Sequence, residues 1–199
     1  YKTCEYIKDM GTPHRLIQVE KDINNGVVDS RKIINKRKAI FIDRDGTINI
    51  ENGHISKPSN LELFDNSGDA IRLINKSKFL AICITNQPVI ARGECTFQEL
   101  EEIHNKMESE LGSKGAYLDE TYFCPHHTDK GFAEEIKELK INCNCRKPNP
   151  GMLINAMKDF NLDLNECWFI GDSEADIGAA HNAGCKSILL KNSAKKITK

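Results

Sequence analysis

Several features that would identify a class of protein are missing from this 199-residue sequence. No apolar run reaches membrane-spanning length and no signal-peptide core is found near the N-terminus, so we expect a cytoplasmic protein that does not enter a membrane. An excess of either charge is also missing, since 28 Lys and Arg oppose 29 Asp and Glu for a net charge of -1. This balance argues against nucleic acid as the main partner. The length suits one domain with an appendage.

The cysteines are numerous, but they do not indicate disulfide bonds, because the chain is long and has no export signal. Metal binding or free thiols are therefore expected. The eight positions are Cys4, Cys83, Cys95, Cys124, Cys143, Cys145, Cys167 and Cys185.

Two tight groups of these cysteines predict a zinc site. The stretch CPHH at residues 124–127 is followed by CNCRKP at residues 143–148. Three thiolates and one imidazole make a closed tetrahedral site, whose role would be structural because no position is left open. The predicted ligands are Cys124, Cys143, Cys145 and either His126 or His127, since the spacing allows both histidines. Residues 132–139, between the two groups, form a charged insertion that we expect to be a solvated face.

A pair of aspartates follows the first predicted strand. Residues 39–42 form a short apolar run typical of a buried parallel strand, and Asp43 and Asp45 lie directly after it. Ligands bind at the carboxyl ends of strands in open α/β sheets. One carboxylate can therefore act as a nucleophile or metal ligand and the other as a proton carrier, while Gly46 permits the turn. Thr47 is a candidate donor to a bound oxyanion.

Further polar residues follow later predicted strands. The run at residues 79–84 ends in Thr85, Asn86 and Gln87, where a hydroxyl could donate to a phosphate oxygen. The run at residues 167–170 ends near Asp172, which could share a hard cation with the first aspartate. Strands are also predicted at residues 117–123 and 187–190.

Other candidates lie in loops and on helices. Arg146 and Lys147 directly follow the zinc ligands, so closure of that loop would fix two cations against a phosphate. Glu51 and His54 lie in an irregular loop, residues 50–63, that leaves the first strand and could contact substrate. Helical patterns occur at residues 66–77, at residues 96–111, where His104 is expected to be structural, and from residues 148–151 onward.

These motifs resemble those of the haloacid dehalogenase-like (HAD-like) phosphatases. The matching stretches are DxDGT at residues 43–47, the strand-end Thr85, Lys147, and GDxxxD at residues 171–176. The TNQ at residues 85–87 and the CxH and CxC pairs resemble the subgroup of heptose bisphosphate and histidinol-phosphate phosphatases. The subgroup pattern selects His126 as the fourth zinc ligand.

The resemblance implies an α/β fold with a doubly wound parallel sheet. It spans residues 38–190 and leaves no stretch long enough for a cap domain, so an open site next to the zinc-binding loop is expected. We divide the chain into an N-terminal segment and linker at residues 1–37, a phosphatase domain at residues 38–190, and a basic tail at residues 191–199.

The resemblance also implies roles for the candidate residues. Asp43 would be the nucleophile and Asp45 the general acid and base, with Thr85 and Lys147 on the phosphoryl oxygens. Mg²⁺ would be held by Asp43, the backbone carbonyl of Asp45, and Asp172. Asp176 would cap or orient a helix rather than bind the metal. The substrate-binding candidates are Glu51, His54, Asn86, Gln87 and Arg146.

The expected substrate is a small phosphorylated sugar. The first hypothesis is removal of the 7-phosphate of D-glycero-D-manno-heptose 1,7-bisphosphate, in the synthesis of nucleotide-activated heptose for surface polysaccharide. The alternatives are histidinol-phosphate hydrolysis and a zinc-stabilised domain without catalytic activity.

The N-terminal residues show a second resemblance. Residues 6–23, with an aspartate and Gly-Thr-Pro before a helix, resemble the closing segment of sugar-1-phosphate nucleotidyltransferases. Thr12 would cap that helix and Pro13 would occupy its first turn. The segment would then be the end of a fused nucleotidyltransferase, and an α-anomer substrate would be favoured. An ordinary N-terminal helix followed by a polar linker at residues 24–37 is the alternative.

Overall fold

The computed structural model describes residues 5–191 and consists of one parallel sheet with helices on both faces. The five strands, β1 to β5, are Lys38–Ile42, Phe79–Asn86, Glu120–Cys124, Trp168–Gly171 and Lys186–Leu189. The α-helices, α1 to α6, are Pro13–Asn24, Val27–Ser30, Ser67–Asn75, Phe97–Ser113, Gly151–Phe160 and Glu174–Ala183.

The strand order is β3-β2-β1-β4-β5, which is the doubly wound arrangement that the motifs predicted. Every pairing is parallel; in the register, Ile42 of β1 lies opposite Cys83 of β2 and Ile170 of β4. The chain leaves β1 toward one edge and returns through β4 toward the other. Such a reversal opens a crevice at the carboxyl ends of β1 and its neighbours, where ligands bind.

Helices cover the two faces of the sheet because the strands are apolar on both sides. Phe41, Ile82 and Phe169 face α5 and α6, while Cys83 and Ala81 face α3 and α4. All five side chains are fully buried. Burial on both faces explains why the first strands are continuous apolar runs rather than alternating ones.

Side-chain caps fix the starts of several helices. Thr96 and Glu99 form a reciprocal capping box at α4. Thr12 caps α1 with Pro13 in its first turn, as the sequence predicted. These caps satisfy backbone N–H groups that have no partner within the helix.

The segment expected to be a polar linker is docked onto the domain. The Arg31 guanidinium lies 2.7 Å from the Asp119 carboxylate, and both side chains are buried. Arg37 donates from Nε to the Phe160 carbonyl at 2.7 Å, and the Asn161 amide donates to the carbonyls of residues 33–35. Because these partners are far apart in sequence, the composition of residues 24–37 could not predict the contacts between them.

The charged insertion between the zinc pairs is also less solvated than expected. Phe132 lies under the Arg92 guanidinium, 4.7 Å from ring centroid to Cζ, and under the Lys140 ammonium at 5.1 Å. The backbone N–H of Ile136 donates to the carbonyl of Ala91 at 3.0 Å. Most of residues 132–139 are nonetheless exposed, as predicted, while Phe132, Glu135 and Leu139 are partly buried.

Within the described range, no helix is both long enough and apolar enough to cross a membrane. Apart from Lys191, the predicted basic tail lies outside the described residues, as does Cys4. No cap domain is inserted between the strands of residues 38–190; the loops there carry single crossover helices and short 3₁₀ turns.

We expect Arg31→Ala to lower the free energy of unfolding by about 3 to 5 kcal/mol, because it leaves the buried Asp119 carboxylate without its partner. Urea unfolding measures the loss. The matched control is Arg72→Ala, which breaks an exposed pair with Asp69 and should cost about 0 to 1 kcal/mol. Equal losses for the two variants would show that the N-terminal segment is not anchored by this pair.

Candidate active site and metal centres

The strand ends converge on one cleft. Asp43 follows β1, Thr85 is the second-last residue of β2, and Asp172 follows β4. All three residues line this cleft. Strand β2 is longer than predicted, so Thr85 and Asn86 belong to the strand itself. The parallel register brings together side chains more than 80 residues apart in sequence, as the motif order predicted.

Lys147 occupies the floor of this cleft and is almost completely buried. Its ammonium donates to the Asp176 carboxylate at 2.6 Å and to the Ile84 carbonyl at 3.0 Å, and it lies 2.7 Å from Oδ1 of Asp43. Asn86 holds its backbone from both sides, accepting from the Lys147 N–H and donating to its carbonyl. The cation is therefore fixed in position before any substrate arrives.

Asp176 has the orienting role that the sequence suggested. Its second oxygen accepts from the N–H and the hydroxyl of Ser173 in a capping box at the start of α6. Its first oxygen pairs with Lys147. Both oxygens are thus engaged in fixing neighbours, although the carboxylate also lies near Asp43 and Asp172.

Burial raises the pKa of two carboxylates in the cleft, those of Asp43 and Asp172. Burial, together with the nearby Asp176, raises the pKa of Asp43 to about 7 against the opposing effect of Lys147. Burial, Asp176 and Glu51 likewise raise the pKa of Asp172. Lys147 responds in the opposite sense, because Asp43 and Asp176 hold its pKa above the usual range despite desolvation. The cleft would therefore gain from a further positive charge.

The donor set fits a hard divalent cation. Oxygen atoms of Asp43, Asp172 and Asp176 lie within 4.8 Å of one another. Gly46 has a positive φ of 76°, and a Cβ added there would overlap the Asp172 carboxylate, so only glycine leaves this carboxylate in place. Carboxylate oxygens around a small space are the ligands that Mg²⁺ takes in proteins.

Asp45 is oriented by several donors. Its carboxylate accepts from the Gln87 amide at 2.9 Å, from the Asn49 amide at 3.1 Å, and from the Arg44 guanidinium at 3.0 to 3.1 Å. Gln87 also donates to the Thr85 hydroxyl at 2.8 Å. Gln87 was predicted as a substrate contact, but its amide nitrogen donates hydrogen bonds to Asp45 and Thr85 and so orients these two side chains.

The remaining predicted substrate contacts line the mouth of the cleft. Glu51, His54 and Arg146 all face it. The His54 ring also contacts the Arg92 guanidinium, with 2.7 Å from Nε2 to Nη1, and the Glu94 carboxylate at 3.2 Å. Arg146 donates to the carbonyl of the zinc-loop residue His126 at 3.2 Å.

Sequence reasoning misplaced one residue and missed others. The buried hydroxyl of Thr47 lines a groove beside α3 and β5 instead of the catalytic cleft, and it has no hydrogen-bond partner among the described residues. Arg44 and Asn49 were missed, although both lie within four positions of Asp45. Pro88 and Ser173 also line the cleft.

The predicted zinc ligands form a compact cluster. The ligand atoms of Cys124, His126, Cys143 and Cys145 all lie within 4.8 Å of one another. Nδ1 of His126 is 3.2 Å from the sulfur of Cys145, whereas His127 turns away and meets Arg92 at 3.0 Å. Three sulfurs and one imidazole nitrogen in this space are suited to tetrahedral zinc.

Comparisons with known proteins agree with this geometry. The HAD-hydrolase-like family model matches residues 144–198. Among solved structures, a D,D-heptose 1,7-bisphosphate phosphatase from B. bronchiseptica, solved with magnesium and phosphate, has a TM-score of 0.67 and 32% identity over 77% of this chain and 79% of its own. A HAD-like phosphatase from Mesorhizobium loti has a TM-score of 0.70 and 32% identity over 75% and 70%. Fold and site thus define a HAD-like phosphohydrolase.

Relatives of known name narrow this class. The D-glycero-beta-D-manno-heptose-1,7-bisphosphate 7-phosphatase of Pasteurella multocida is 37% identical over 163 residues, which are 81% of this chain and 85% of the relative. The enzyme of the same name from Escherichia coli K12 is 38% identical over 80% and 82%. The chain belongs to the heptose-1,7-bisphosphate 7-phosphatase family.

We expect Mg²⁺ affinity to fall as the pH drops below 7. Burial raises the folded-state pKa of Asp43 to about 7, so protons compete with the cation for this carboxylate. Titration at pH 7 and pH 6 should show a dissociation constant that rises by up to about tenfold. Because the pKa of Asp43 is higher in the folded than in the unfolded protein, the metal-free protein should lose stability as the pH rises from 4 to 7. Mg²⁺ should therefore raise the melting temperature more at pH 8 than at pH 5. A pH-independent affinity would contradict this account.

We expect the purified protein to carry about one equivalent of zinc, and Cys143→Ser to lose most of it and to melt at a lower temperature. Metal analysis and thermal unfolding measure the two effects. Cys185→Ser is the matched control, because this free thiol lies outside the cluster. Retention of zinc by Cys143→Ser would exclude the predicted ligand set.

Proposed function

We propose that the protein is a Mg²⁺-dependent phosphatase that removes the 7-phosphate of D-glycero-D-manno-heptose 1,7-bisphosphate. The observation that carries the proposal is the contact between Asp43 and Lys147 at the end of β1, 2.7 Å apart, with Asp172 in the same metal-binding cluster. The relatives named for this reaction support the substrate. Their names favour the β-anomer over the α-anomer that a fusion would suggest.

The first step is attack of an Asp43 carboxylate oxygen on phosphorus. The bond from phosphorus to the sugar oxygen breaks, and this oxygen takes a proton from the Asp45 carboxyl group. Lys147 and the Thr85 hydroxyl face the same cleft and would stabilise the equatorial oxygens. The products of this step are an aspartyl phosphate and the free sugar hydroxyl.

The second step is hydrolysis of the aspartyl phosphate. The Asp45 carboxylate takes a proton from water as the water attacks phosphorus, and Asp43 is released. The same carboxylate thus serves as acid and then as base, which requires it to stay at one position. Its contacts with Gln87 and Asn49 support that requirement.

A magnesium ion held by Asp43, Asp172 and the backbone carbonyl of Asp45 would supply positive charge that offsets repulsion between carboxylate and phosphate. The chain itself supplies Lys147, which remains paired with Asp176. Zinc, held by the cluster at Cys124 and its neighbours, would be structural. It would fix the loop from which Arg146 and Lys147 extend.

The rest of the sugar would lie at the mouth of the cleft. The cleft has a volume of about 210 Å³, roughly the space of seven water molecules. A phosphoryl group and part of the sugar fill this volume, so the 1-phosphate end would extend outward. Arg146 offers a guanidinium for it, with Glu51, His54 and Asn86 as contacts for the sugar hydroxyls.

The N-terminal segment and the compartment belong to the same proposal. We assign residues 38–190 to the phosphatase domain and residues 1–37 to a separate segment, which resembles the end of a nucleotidyltransferase. The ion pair of Arg31 with Asp119 would hold this segment against the domain. The cytoplasm is the proposed location, since the cysteines among residues 5–191 are free thiols, as reducing compartments favour.

The test is phosphate release with Mg²⁺ from both anomers of heptose 1,7-bisphosphate, fructose 1,6-bisphosphate and histidinol phosphate. We expect the β-anomer to give the highest kcat/KM, and Asp43→Asn to abolish turnover, because the amide cannot attack phosphorus. A folded Asp43→Asn protein, verified by its circular dichroism and melting temperature, is the control. Preference for histidinol phosphate would assign the other subgroup, and no turnover of any substrate would favour the non-catalytic alternative.

A further inference from the structure

Arg44, between the two catalytic aspartates in sequence, points away from the cleft into the protein. It is the largest of the fully buried side chains, with 0% exposure. Taking a guanidinium out of water costs several kcal/mol unless it is well paired, and a methionine or leucine would fill the same space without that cost. The presence of a charged side chain at this buried position therefore indicates a specific role for the charge.

The partner of this buried charge is the carboxylate of Asp45. Nε and Nη2 of Arg44 both approach Oδ1 of Asp45 at 3.1 Å, and Nη2 also approaches Oδ2 at 3.0 Å. A planar guanidinium that contacts both oxygens restricts rotation of the carboxylate as well as its position. Asp45 itself lines the cleft, so the contact joins a buried anchor to a residue at the reacting centre.

Two residues from other parts of the chain in turn hold the Arg44 guanidinium. Nη2 donates to the Gln87 side-chain oxygen at 2.9 Å, and Nη1 lies 3.2 Å from Nε2 of His104 on α4. Burial and the Arg44 charge lower the pKa of His104 to about 4, so the ring is neutral and Nε2 accepts from Nη1. His104 also packs on Phe123, with ring centroids 5.8 Å apart. His104 thus has structural contacts, as expected, and one of them is with the Arg44 guanidinium.

We propose that Arg44 is a positioning residue for Asp45, and that Gln87 and His104 hold Arg44 in place for this purpose. The inference rests on the proposed function, in which Asp45 transfers the proton in both steps. The second step needs the Asp45 carboxylate as base, whereas formation of the aspartyl phosphate from a substrate with a good leaving group needs no proton from it. Loss of Arg44 should therefore slow hydrolysis of the aspartyl phosphate more than its formation from a substrate with a good leaving group.

The experiment compares wild type, Arg44→Met, Asp45→Asn and the double variant. General acid–base catalysis contributes about 10²- to 10⁴-fold, and a mispositioned group forfeits part of it. We expect Arg44→Met to lower kcat on the sugar bisphosphate by about 10- to 100-fold with little change in KM. Added to Asp45→Asn, the same substitution should cause no further loss, because Arg44 acts through that carboxylate. Losses that multiply in the double variant would overturn the proposal.

A second readout separates the two chemical steps. The substrate is p-nitrophenyl phosphate, whose leaving group, p-nitrophenolate, departs without needing a proton. The pre-steady-state burst of p-nitrophenolate should therefore keep its rate within about twofold in Arg44→Met, while steady-state turnover falls. Equal slowing of burst and turnover would indicate a general structural defect and would contradict the positioning role.

Two further comparisons keep the inference testable. If Arg44→Met does not fold, His104→Leu removes the support of the guanidinium and His104→Gln offers a replacement acceptor; only the first should lower kcat, by about 3- to 10-fold. Equal activity of the two variants would overturn the proposal. Wild type that is inactive on every substrate, or Asp45→Asn that is as active as wild type, would reject the proposed function itself.

Discussion

Most of the site depends on the contacts of one buried group, the ammonium of Lys147, which lies between two carboxylates and a carbonyl. It joins the end of β1 through Asp43, the end of β2 through Ile84, and the start of α6 through Asp176. Each of these groups would be costly to bury alone, because charges lose their hydration in the interior. Together they satisfy one another, and Asp43 is thereby placed beside a fixed cation.

The loop that carries the cysteine cluster determines where that cation can lie. Residues 143–147 run from the cysteine cluster directly into Arg146 and Lys147, and Arg146 binds back to the carbonyl of His126. The Asn149 amide donates to the carbonyl of Cys143, which closes the loop before α5 begins. A structural metal at this point would therefore act on catalysis through rigidity, since phosphoryl transfer depends mainly on positioning and charge.

The two aspartates that we propose to be catalytic have different surroundings. Asp43 is buried near Asp176, and its pKa is raised to about 7, so a bound cation would stabilise its ionised form at neutral pH. The Asp45 carboxylate instead accepts hydrogen bonds from a guanidinium and two amides, which hold it in position. These surroundings suit the two proposed roles, a metal-bound nucleophile for Asp43 and a proton carrier for Asp45.

The sequence by itself determined the parallel sheet, the strand ends that carry Asp43, Thr85 and Asp172, and the two groups of cysteines that form one cluster. These features follow from local patterns: apolar runs, turns and short ligand spacings. Only the tertiary structure decided which distant partners pair: Arg31 with Asp119, Lys147 with Asp176, and Arg44 with His104. Side-chain directions at separations of 29 to 88 residues depend on how the helices pack on the sheet, which no local pattern records.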